Sequence, residues 1–254
     1  MLVIFPHRFP IEGLGYIEFK HRFCILVLTR YLTLQFIPTG CSKLDELLGG
    51  GIPIGRLTLI YGEASSGKTT IALQVSVSAA RIGLKVLYMD CDNSLRIERL
   101  RAITKEDFDN LSKRIIVSRP ESFIEQSLII GSLPRIISRD VGLVVVDSIT
   151  NLYREAISLE EPFTVNWEFN RQIALLKESA ITKNIAVLAI SQVRSVLETG
   201  GIEPVSRRIM LYWPDIVITL SKTTRPGIIL CEVKKGGVPG KFYAHISDQG
   251  LVSI

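Results

Sequence analysis

The stretch LTLIYGEASSGKTTIALQVSV, residues 57–77, decides the fold. An apolar run typical of a strand ends at Gly62, small residues follow, and a helical pattern begins near Lys68. The segment from Gly62 to Thr69 matches the pattern G-x-x-x-x-G-K-[ST]. In such a loop the backbone N–H groups turn toward an anion, and the following helix directs the positive end of its dipole at it. The stretch therefore predicts a phosphate-binding loop between a strand and a helix.

The residue types in this loop predict a site for ATP and Mg²⁺. The Lys68 ammonium would contact the β- and γ-phosphates, and the Thr69 hydroxyl would ligate Mg²⁺. Asp147 follows four apolar residues in GLVVVDSIT (142–150), where the end of a neighbouring strand would present a second metal ligand. An Asp after a strand is often only a helix cap, but beside a phosphate loop we expect it to serve the metal. The expected nucleotide contacts are Gly62, Glu63, Ala64, Ser65, Ser66, Gly67, Lys68, Thr69 and Thr70.

Composition excludes several classes of protein. The 254 residues suffice for one large domain or two small ones, and 47% of them are hydrophobic. A net charge of +5 argues only weakly for nucleic acid. Four cysteines without C-x-x-C spacing indicate neither a zinc site nor a disulfide framework, which fits a reducing cytoplasm. Arg30 interrupts the longest apolar run, so we expect no membrane span.

The order of strand and helix patterns predicts an α/β fold. Apolar strand runs at 57–61, 85–90, 114–118, 142–147 and 185–190 alternate with helical patterns. Near-continuous apolar strands between helices indicate a mainly parallel central sheet with helices on both faces. After residue 213 short strands with turn signals, DIVITLSK, GIILCEVKKGG and KFYAHIS, predict an antiparallel extension at one edge.

Residues 1–36 differ from the rest of the chain. They show no clear helical period and no turn-bounded order of strands. Three interpretations stay open for them: a β-hairpin, an extended arm packed on the core, or translated upstream sequence that the working protein lacks. We therefore predict an N-terminal arm or extension at 1–36 and one ATPase core at 37–254.

Several further blocks, in order, resemble the RecA/RadA recombinase superfamily. They are residues 39–70, DCDNSLRIERL (90–100), VVDSITNLYREA (145–156), FNRQIALLKESAITKNIAVLAISQV (169–193) and WPDIVITLSK (213–222). The resemblance spans about residues 37–254 and is closest to the short archaeal RadA paralogues of the RadB group. It implies a RecA-type P-loop NTPase core.

The resemblance also implies roles for single residues. Asp92 stands where the family places a catalytic Glu, so its carboxylate is one methylene shorter, and Asp90 is the next candidate for the base. Arg99 matches an arginine that stacks on the adenine ring, a role that suits a planar guanidinium. Gln192 matches the residue that senses the γ-phosphate and relays to the DNA-binding loop. The alternative for Arg99 is an ordinary solvated arginine on a helix. The alternative for Gln192 is an ordinary polar residue at the end of a strand.

Residues 193–213, VRSVLETGGIEPVSRRIMLYW, occupy the position of the family's main DNA-binding loop. Arg194, Arg207 and Arg208 would contact phosphates of single-stranded DNA. Glu198 and Glu203 dilute this charge, so a loop that contacts only protein stays open. Lys234 and Lys235 stand where relatives place lysines that reach a neighbouring subunit's nucleotide, although paired lysines at a strand end are usually a solvated turn.

Two features of filament-forming recombinases are missing from the sequence. No N-terminal helical DNA-binding domain is evident, and none of the ten phenylalanines has Ala three residues later, as the F-x-x-A assembly segment requires. We therefore expect a monomer or small oligomer in the cytoplasm, associated with the nucleoid. Its expected role is an accessory ATPase of recombination and DNA repair that hydrolyses ATP weakly, binds single-stranded DNA and modulates a full-length RadA-type recombinase or other repair proteins. A KaiC-like signalling ATPase or kinase that acts on protein, and a protein that binds nucleotide only structurally, are the alternatives.

Overall fold

A nine-stranded sheet organises the part of the chain that the computed structural model describes, residues 34–196 and 201–254. The strands are β1 (Phe36–Ile37), β2 (Ile52–Pro53), β3 (Leu57–Gly62), β4 (Lys85–Asp90), β5 (Ile115–Ser118), β6 (Val141–Asp147), β7 (Ala186–Ser191), β8 (Val193–Val196), β9 (Gly201–Pro204), β10 (Ile216–Lys222), β11 (Ile228–Lys235), β12 (Gly240–Ser247) and β13 (Gly250–Ser253). The helices are α1 (Ser42–Leu48), α2 (Lys68–Arg81), α3 (Ile97–Thr104), α4 (Phe108–Leu111), α5 (Phe123–Ile136), α6 (Asn151–Leu159), α7 (Pro162–Lys183) and α8 (Arg207–Tyr212).

The strand order across the sheet is β13-β12-β11-β10-β3-β7-β6-β4-β5. The six strands from β10 to β5 in that order run parallel, and the four from β13 to β10 pair antiparallel. The predicted mainly parallel sheet with a C-terminal antiparallel extension is confirmed. The structure refines one element: residues 216–222, predicted within the extension, form β10, which also pairs parallel with β3. The first five residues of β10 are all buried, but the apolar run by itself does not specify which strand β10 pairs with.

The central strands are apolar because helices cover both faces of the sheet. All residues of β3, β6 and β7 are buried, as is typical of parallel strands between helix layers. One face packs against an aromatic cluster from α5, α6 and α7, in which the rings of Tyr153 and Phe169 stack 4.2 Å apart. Helix α2 contacts β3, β4, β6 and β7 and covers the other face.

The carboxyl ends of the parallel strands lie together at one end of the sheet, where an open α/β fold forms its ligand crevice. The register places Asp90, the last residue of β4, beside Asp147, the last residue of β6. Tyr61 near the end of β3 lies beside Ser191 at the end of β7. The phosphate-loop motif, both aspartates and Gln192 therefore come from neighbouring strand ends.

The described residues from Phe36 onward form one compact unit. The proposed division at residue 36 and the status of residues 1–36 stay predictions, because residues 1–33 lie outside the described part. Among the described helices, none combines the length and the apolar composition that a membrane span requires.

Candidate nucleotide site and nucleic-acid interface

Two glycines shape the loop between β3 and α2. A Cβ on Gly62 would lie 2.1 Å from the carbonyl oxygen of Leu220, so only glycine lets β3 end against β10 here. Gly67 has φ +89°, and a Cβ on it would approach the Ile246 side chain to 2.9 Å. L-residues with a side chain avoid the backbone region of Gly67, so Gly62 is needed for its close approach and Gly67 for its backbone conformation.

Lys68 is held over this loop by two backbone carbonyls. Its Nζ donates hydrogen bonds to the carbonyl oxygens of Gly62 at 2.9 Å and Glu63 at 2.6 Å. Burial lowers the pKa of the Lys68 ammonium, while the charges of Asp147 and Asp92 raise it. The cation therefore lies at the first turn of α2 and within the field of both aspartates, as a phosphate ligand requires.

The rest of the loop fits a triphosphate. The Ser66 hydroxyl oxygen is buried and has no hydrogen-bond partner among the described residues. Glu63 turns away, because its carboxylate accepts a hydrogen bond from the Lys222 backbone N–H at 2.9 Å. Ala64 and Ser65 are exposed small residues, and Ser65 has a positive φ of 61°. A bound phosphate oxygen would accept a hydrogen bond from this buried, unpaired hydroxyl.

Asp147 and Thr69 fit a magnesium site. Asp147 is almost fully buried, and the Tyr88 hydroxyl donates to its Oδ2 at 2.8 Å. Burial raises the pKa of Asp147 to about 6, against hydrogen bonds from Tyr88 and Thr69 that lower it. The described chain contains no group of three or more His, Cys, Asp or Glu side chains able to hold a metal. Thr69 and Asp147 would therefore hold Mg²⁺ together with nucleotide phosphates and water, the usual composition of such sites.

The structure separates the roles of Asp90 and Asp92. Asp90 is buried, its Oδ2 accepts from Nε of Arg119 at 3.0 Å, and its Oδ1 accepts from the Ser94 N–H at 2.9 Å. Asp92 is half-buried, and within the described chain its one hydrogen bond runs from the same N–H to Oδ1, at 3.1 Å. Asp90 holds the turn, so Asp92 is the carboxylate available to a water molecule. Sequence reasoning missed Arg119, which lies 29 residues from its partner.

Arg99 reaches the phosphate loop from α3. Its Nη1 donates to the Thr70 hydroxyl at 3.1 Å and to the Ser247 carbonyl at 3.2 Å. The cavity of about 260 Å³ that we call the nucleotide pocket is lined by Ser65, Gly67, Lys68, Thr69, Thr70, Arg99 and Ile246. Ile246, on β12, was missed because nothing in its local pattern distinguishes it from an ordinary strand residue.

Gln192 belongs to a chain of hydrogen bonds that runs from the strand ends to the protein surface. Arg154 Nη1 donates to its Oε1 at 2.5 Å, and its Nε2 donates to Oδ1 of Asn151 at 3.3 Å. Asn151 Nδ2 then donates to the carbonyl of Cys91 at 3.2 Å, next to Asp92. The chain joins the turn that carries Asp92 to an exposed arginine on α6. Asn151 and Arg154 were missed, since both read as ordinary residues of a helix.

Arg154 lines a second cavity of about 770 Å³, which we call the arginine pocket. The three arginines predicted to bind DNA line it with Arg154: Arg194, Arg207 and Arg208. Glu203 accepts from Arg194 at 3.1 Å and from Arg207 at 2.7 Å, so one carboxylate partly neutralises two of them. Glu198 lies outside the described residues. Four arginines against one described carboxylate leave an electropositive surface.

The lysine pair on β11 is occupied within its own chain. Lys235 Nζ donates to the Pro214 carbonyl at 2.6 Å, and Lys234 lies 3.3 Å from the Glu232 carboxylate. Reach toward a neighbouring subunit stays a prediction.

Comparison with known proteins agrees with this geometry. The family model described as Rad51 matches residues 30–223. The DNA repair and recombination protein RadB of Methanosphaera stadtmanae is 37% identical over 191 residues, 74% of this chain and 81% of its own. The RadB of Thermococcus onnurineus is 32% identical over 86% of this chain and 97% of its own.

A solved structure agrees as well. A chain described as the crystal structure of the RadB recombinase superposes with a TM-score of 0.74 and 32% identity, covering 86% of this chain and 100% of its own. The resemblance read from the motifs is thereby confirmed, and the chain belongs to the Rad51 family of RecA-like proteins.

Proposed function

We propose that the protein is an ATP- and Mg²⁺-binding accessory factor of homologous recombination and DNA repair. The observation that carries this proposal is the hydrogen-bond chain from the Asp92 turn through Asn151 and Gln192 to Arg154 in the arginine pocket. Such a chain links the turn that carries Asp92, the expected base, to a surface suited to phosphodiesters. The names of the relatives, DNA repair and recombination proteins, point to the same process.

The nucleotide pocket would act by positioning and charge, as in other phosphoryl-transfer sites. Bound Mg²⁺–ATP supplies the phosphoanhydride bond and neutralises phosphate charge. Lys68 binds phosphate oxygens, Thr69 and Asp147 hold the metal, and Arg99 together with Ile246 confines the base and ribose. Asp92 orients the attacking water and accepts its proton.

Hydrolysis is expected to be slow because the base is an aspartate. Its carboxylate sits about one bond length further back than a glutamate would place it, and a misplacement of about 1 Å can cost about a hundredfold in rate. Binding does not depend on this carboxylate, since Lys68 and the loop contact the phosphates. A protein that binds ATP well and hydrolyses it slowly suits a modulator of a full-length RadA-type recombinase rather than a motor.

The arginine pocket would bind single-stranded DNA, and this defines the first experiment. We expect fluorescence anisotropy to show binding of an oligonucleotide that weakens between about 50 and 200 mM salt, since phosphate neutralisation releases counterions. Mg²⁺–ATP should change the affinity. Asn151→Ala should abolish that ATP effect and leave binding without ATP intact, whereas Gln249→Ala, at an exposed glutamine on the β12–β13 turn, serves as the matched control.

Two outcomes would contradict the proposal. Absence of DNA binding at both salt concentrations, with ATP hydrolysis intact, would favour a KaiC-like ATPase that acts on protein. DNA binding that ignores ATP in the parent protein would remove the proposed link between the two pockets.

A further inference from the structure

Helices α7 and α8 expose aromatic side chains beside the arginine pocket. Trp167 on α7 is 60% exposed and Tyr212 on α8 is 73% exposed. Each helix also contributes a pocket-lining residue next to its aromatic one. Asn166 directly precedes Trp167, and Arg208 lies four residues before Tyr212 and so on the same face of α8.

A third aromatic residue connects the two. The indole N–H of Trp213 donates to Asn170 Oδ1 at 2.9 Å, and Asn170 lies one helical turn after Trp167. The ring of Trp213 packs edge-on against that of Tyr212, with 5.2 Å between centroids. Trp213 is half-buried, and it contacts the ring of Tyr212 and a residue on the helix of Trp167. Aromatic side chains of this kind bind with little loss of side-chain entropy, because they have only two rotatable side-chain bonds.

We propose that Trp167 and Tyr212 form a base-stacking platform for single-stranded nucleic acid, beside the arginine pocket that binds its phosphates. This inference rests on the proposed function, and it states how the face that binds single-stranded DNA would contact the bases. A single strand of nucleic acid carries flat apolar bases along a negatively charged backbone, so it can contact exposed rings and arginines at the same time. Every base presents a π-face, so the platform takes single strands with little preference for sequence.

Phe163, one turn before Trp167, is 77% exposed but lies beside a carboxylate. Glu161 caps α7 by accepting from the N–H groups of Phe163 and Thr164, and these bonds lower its pKa. The charge repels phosphate, so Phe163 contributes less than Trp167. We therefore expect the contribution to binding to decrease from Trp167 to Phe163, a difference that a plain apolar patch would not show.

The test compares two ligands with equal phosphate charge: a short oligo(dT) and an abasic oligonucleotide of the same length. Trp167→Ala and Tyr212→Ala should each weaken oligo(dT) binding about fivefold or more, since loss of one stacked base has that effect at least. Abasic binding should stay unchanged, and Trp167→Phe should restore most of the affinity. Phe163→Ala should have a smaller effect. Ile181→Ala, 58% exposed at the far end of the same helix, is the matched control.

A second readout reports stacking directly. The chain has two tryptophans, so Trp213→Phe leaves Trp167 as the only indole. Its fluorescence should be quenched by oligo(dT) and not by the abasic strand.

The outcomes separate the platform from the proposed function. If the parent protein binds neither ligand, the proposed function is wrong and the platform with it. If the parent binds oligo(dT) and both alanine variants bind it equally well, the platform is wrong and the function stands. If those variants lose only binding to a RadA-type recombinase, this face is a protein-binding surface and the platform is likewise wrong.

Discussion

The nucleotide pocket and the arginine pocket hold their charged side chains in different ways. Lys68 and Asp147 lie at the carboxyl ends of the central strands, Lys68 fixed by two loop carbonyls and Asp147 by the buried Tyr88 hydroxyl. Arg194, Arg207 and Arg208 lie on exposed elements, and the pairs formed by the first two involve a single glutamate. A preorganised site binds with little reorganisation, whereas exposed, partly self-neutralised charges respond to salt. We therefore expect single substitutions to have large effects in the first pocket and small ones in the second.

The largest expected effect is that of Lys68→Ala. No other described cation donates to the loop carbonyls that hold this amine, so the phosphates would lose their point charge. ATP affinity or turnover should fall by about a hundredfold or more. Binding of a fluorescent ATP analogue and release of phosphate would measure it, with Lys43→Ala, at an exposed lysine on α1, as control. Turnover at the parent rate would show that this loop is not the phosphate site.

Substitutions at Asp92 should change turnover and spare binding. Asp92→Asn removes the base and should reduce hydrolysis by about a hundredfold. Asp92→Glu should raise it, by up to about a hundredfold if the shorter side chain is the only defect. Nucleotide affinity should stay constant in both, as measured by the same fluorescent analogue.

Asp90→Asn provides the matched contrast. Its carboxylate pairs with Arg119 and holds the turn, so we expect a lower melting temperature with turnover per folded molecule little changed. An unchanged rate in Asp92→Asn, with loss of turnover in Asp90→Asn, would transfer the base to Asp90.

How far sequence could predict these pockets depends on whether their parts are contiguous. The conformation of residues 62–70 is predictable from their own sequence, because strand, loop and helix follow one another and the glycines mark the turns. Tyr88, Arg119 and Ile246 reach the site from other elements, and each has an ordinary pattern around it. Their roles depend on which strand ends meet, and that arrangement is a property of the whole sheet.

The same distinction applies to the fold and to the second pocket. Continuous apolar runs predicted the parallel strands, but the parallel partner of β10 depended on pairing that one strand does not encode. The three arginines after β7 were predicted from the family resemblance. Arg154 was missed because α6 and strands β8 and β9 bring residues that are distant in sequence to the same pocket.

Tyr88→Phe tests how the buried carboxylate is tuned, with a smaller expected effect. The Tyr88 hydroxyl stabilises ionised Asp147, so its loss should raise the pKa of Asp147 further above about 6. Protons compete with Mg²⁺ for this carboxylate, so the midpoint of Mg²⁺-dependent ATP binding should move to higher pH. Titration of binding from pH 5 to 8 would measure it.

A second tyrosine with a hydroxyl bonded to a neutral partner provides the control. Tyr153→Phe removes a hydroxyl that donates to neutral Asn166, and should leave the midpoint of Mg²⁺-dependent ATP binding unchanged.

Because the folded pKa of Asp147 exceeds its ordinary value, the folded state binds more protons than the unfolded state. Without Mg²⁺ the contribution of Asp147 to stability therefore falls as pH rises from about 4 to about 6. A midpoint that Tyr88→Phe does not move would exclude this carboxylate from the metal site.

The smallest effect, and the sharpest test of the comparison, is expected for Glu203→Gln. The glutamate pairs with Arg194 and Arg207 on an exposed surface, where such pairs contribute about 0–1 kcal/mol. Releasing both guanidinium groups should raise affinity for single-stranded DNA by a factor of about 2 to 5 and steepen its salt dependence. Glu232→Gln, which frees Lys234 away from the pocket, should change neither. Because the nucleotide pocket shares no residue with this pair, ATP affinity should stay at the parent value. A loss of DNA affinity in Glu203→Gln would mean that the glutamate orders the arginines rather than shielding them, and that both pockets are preorganised.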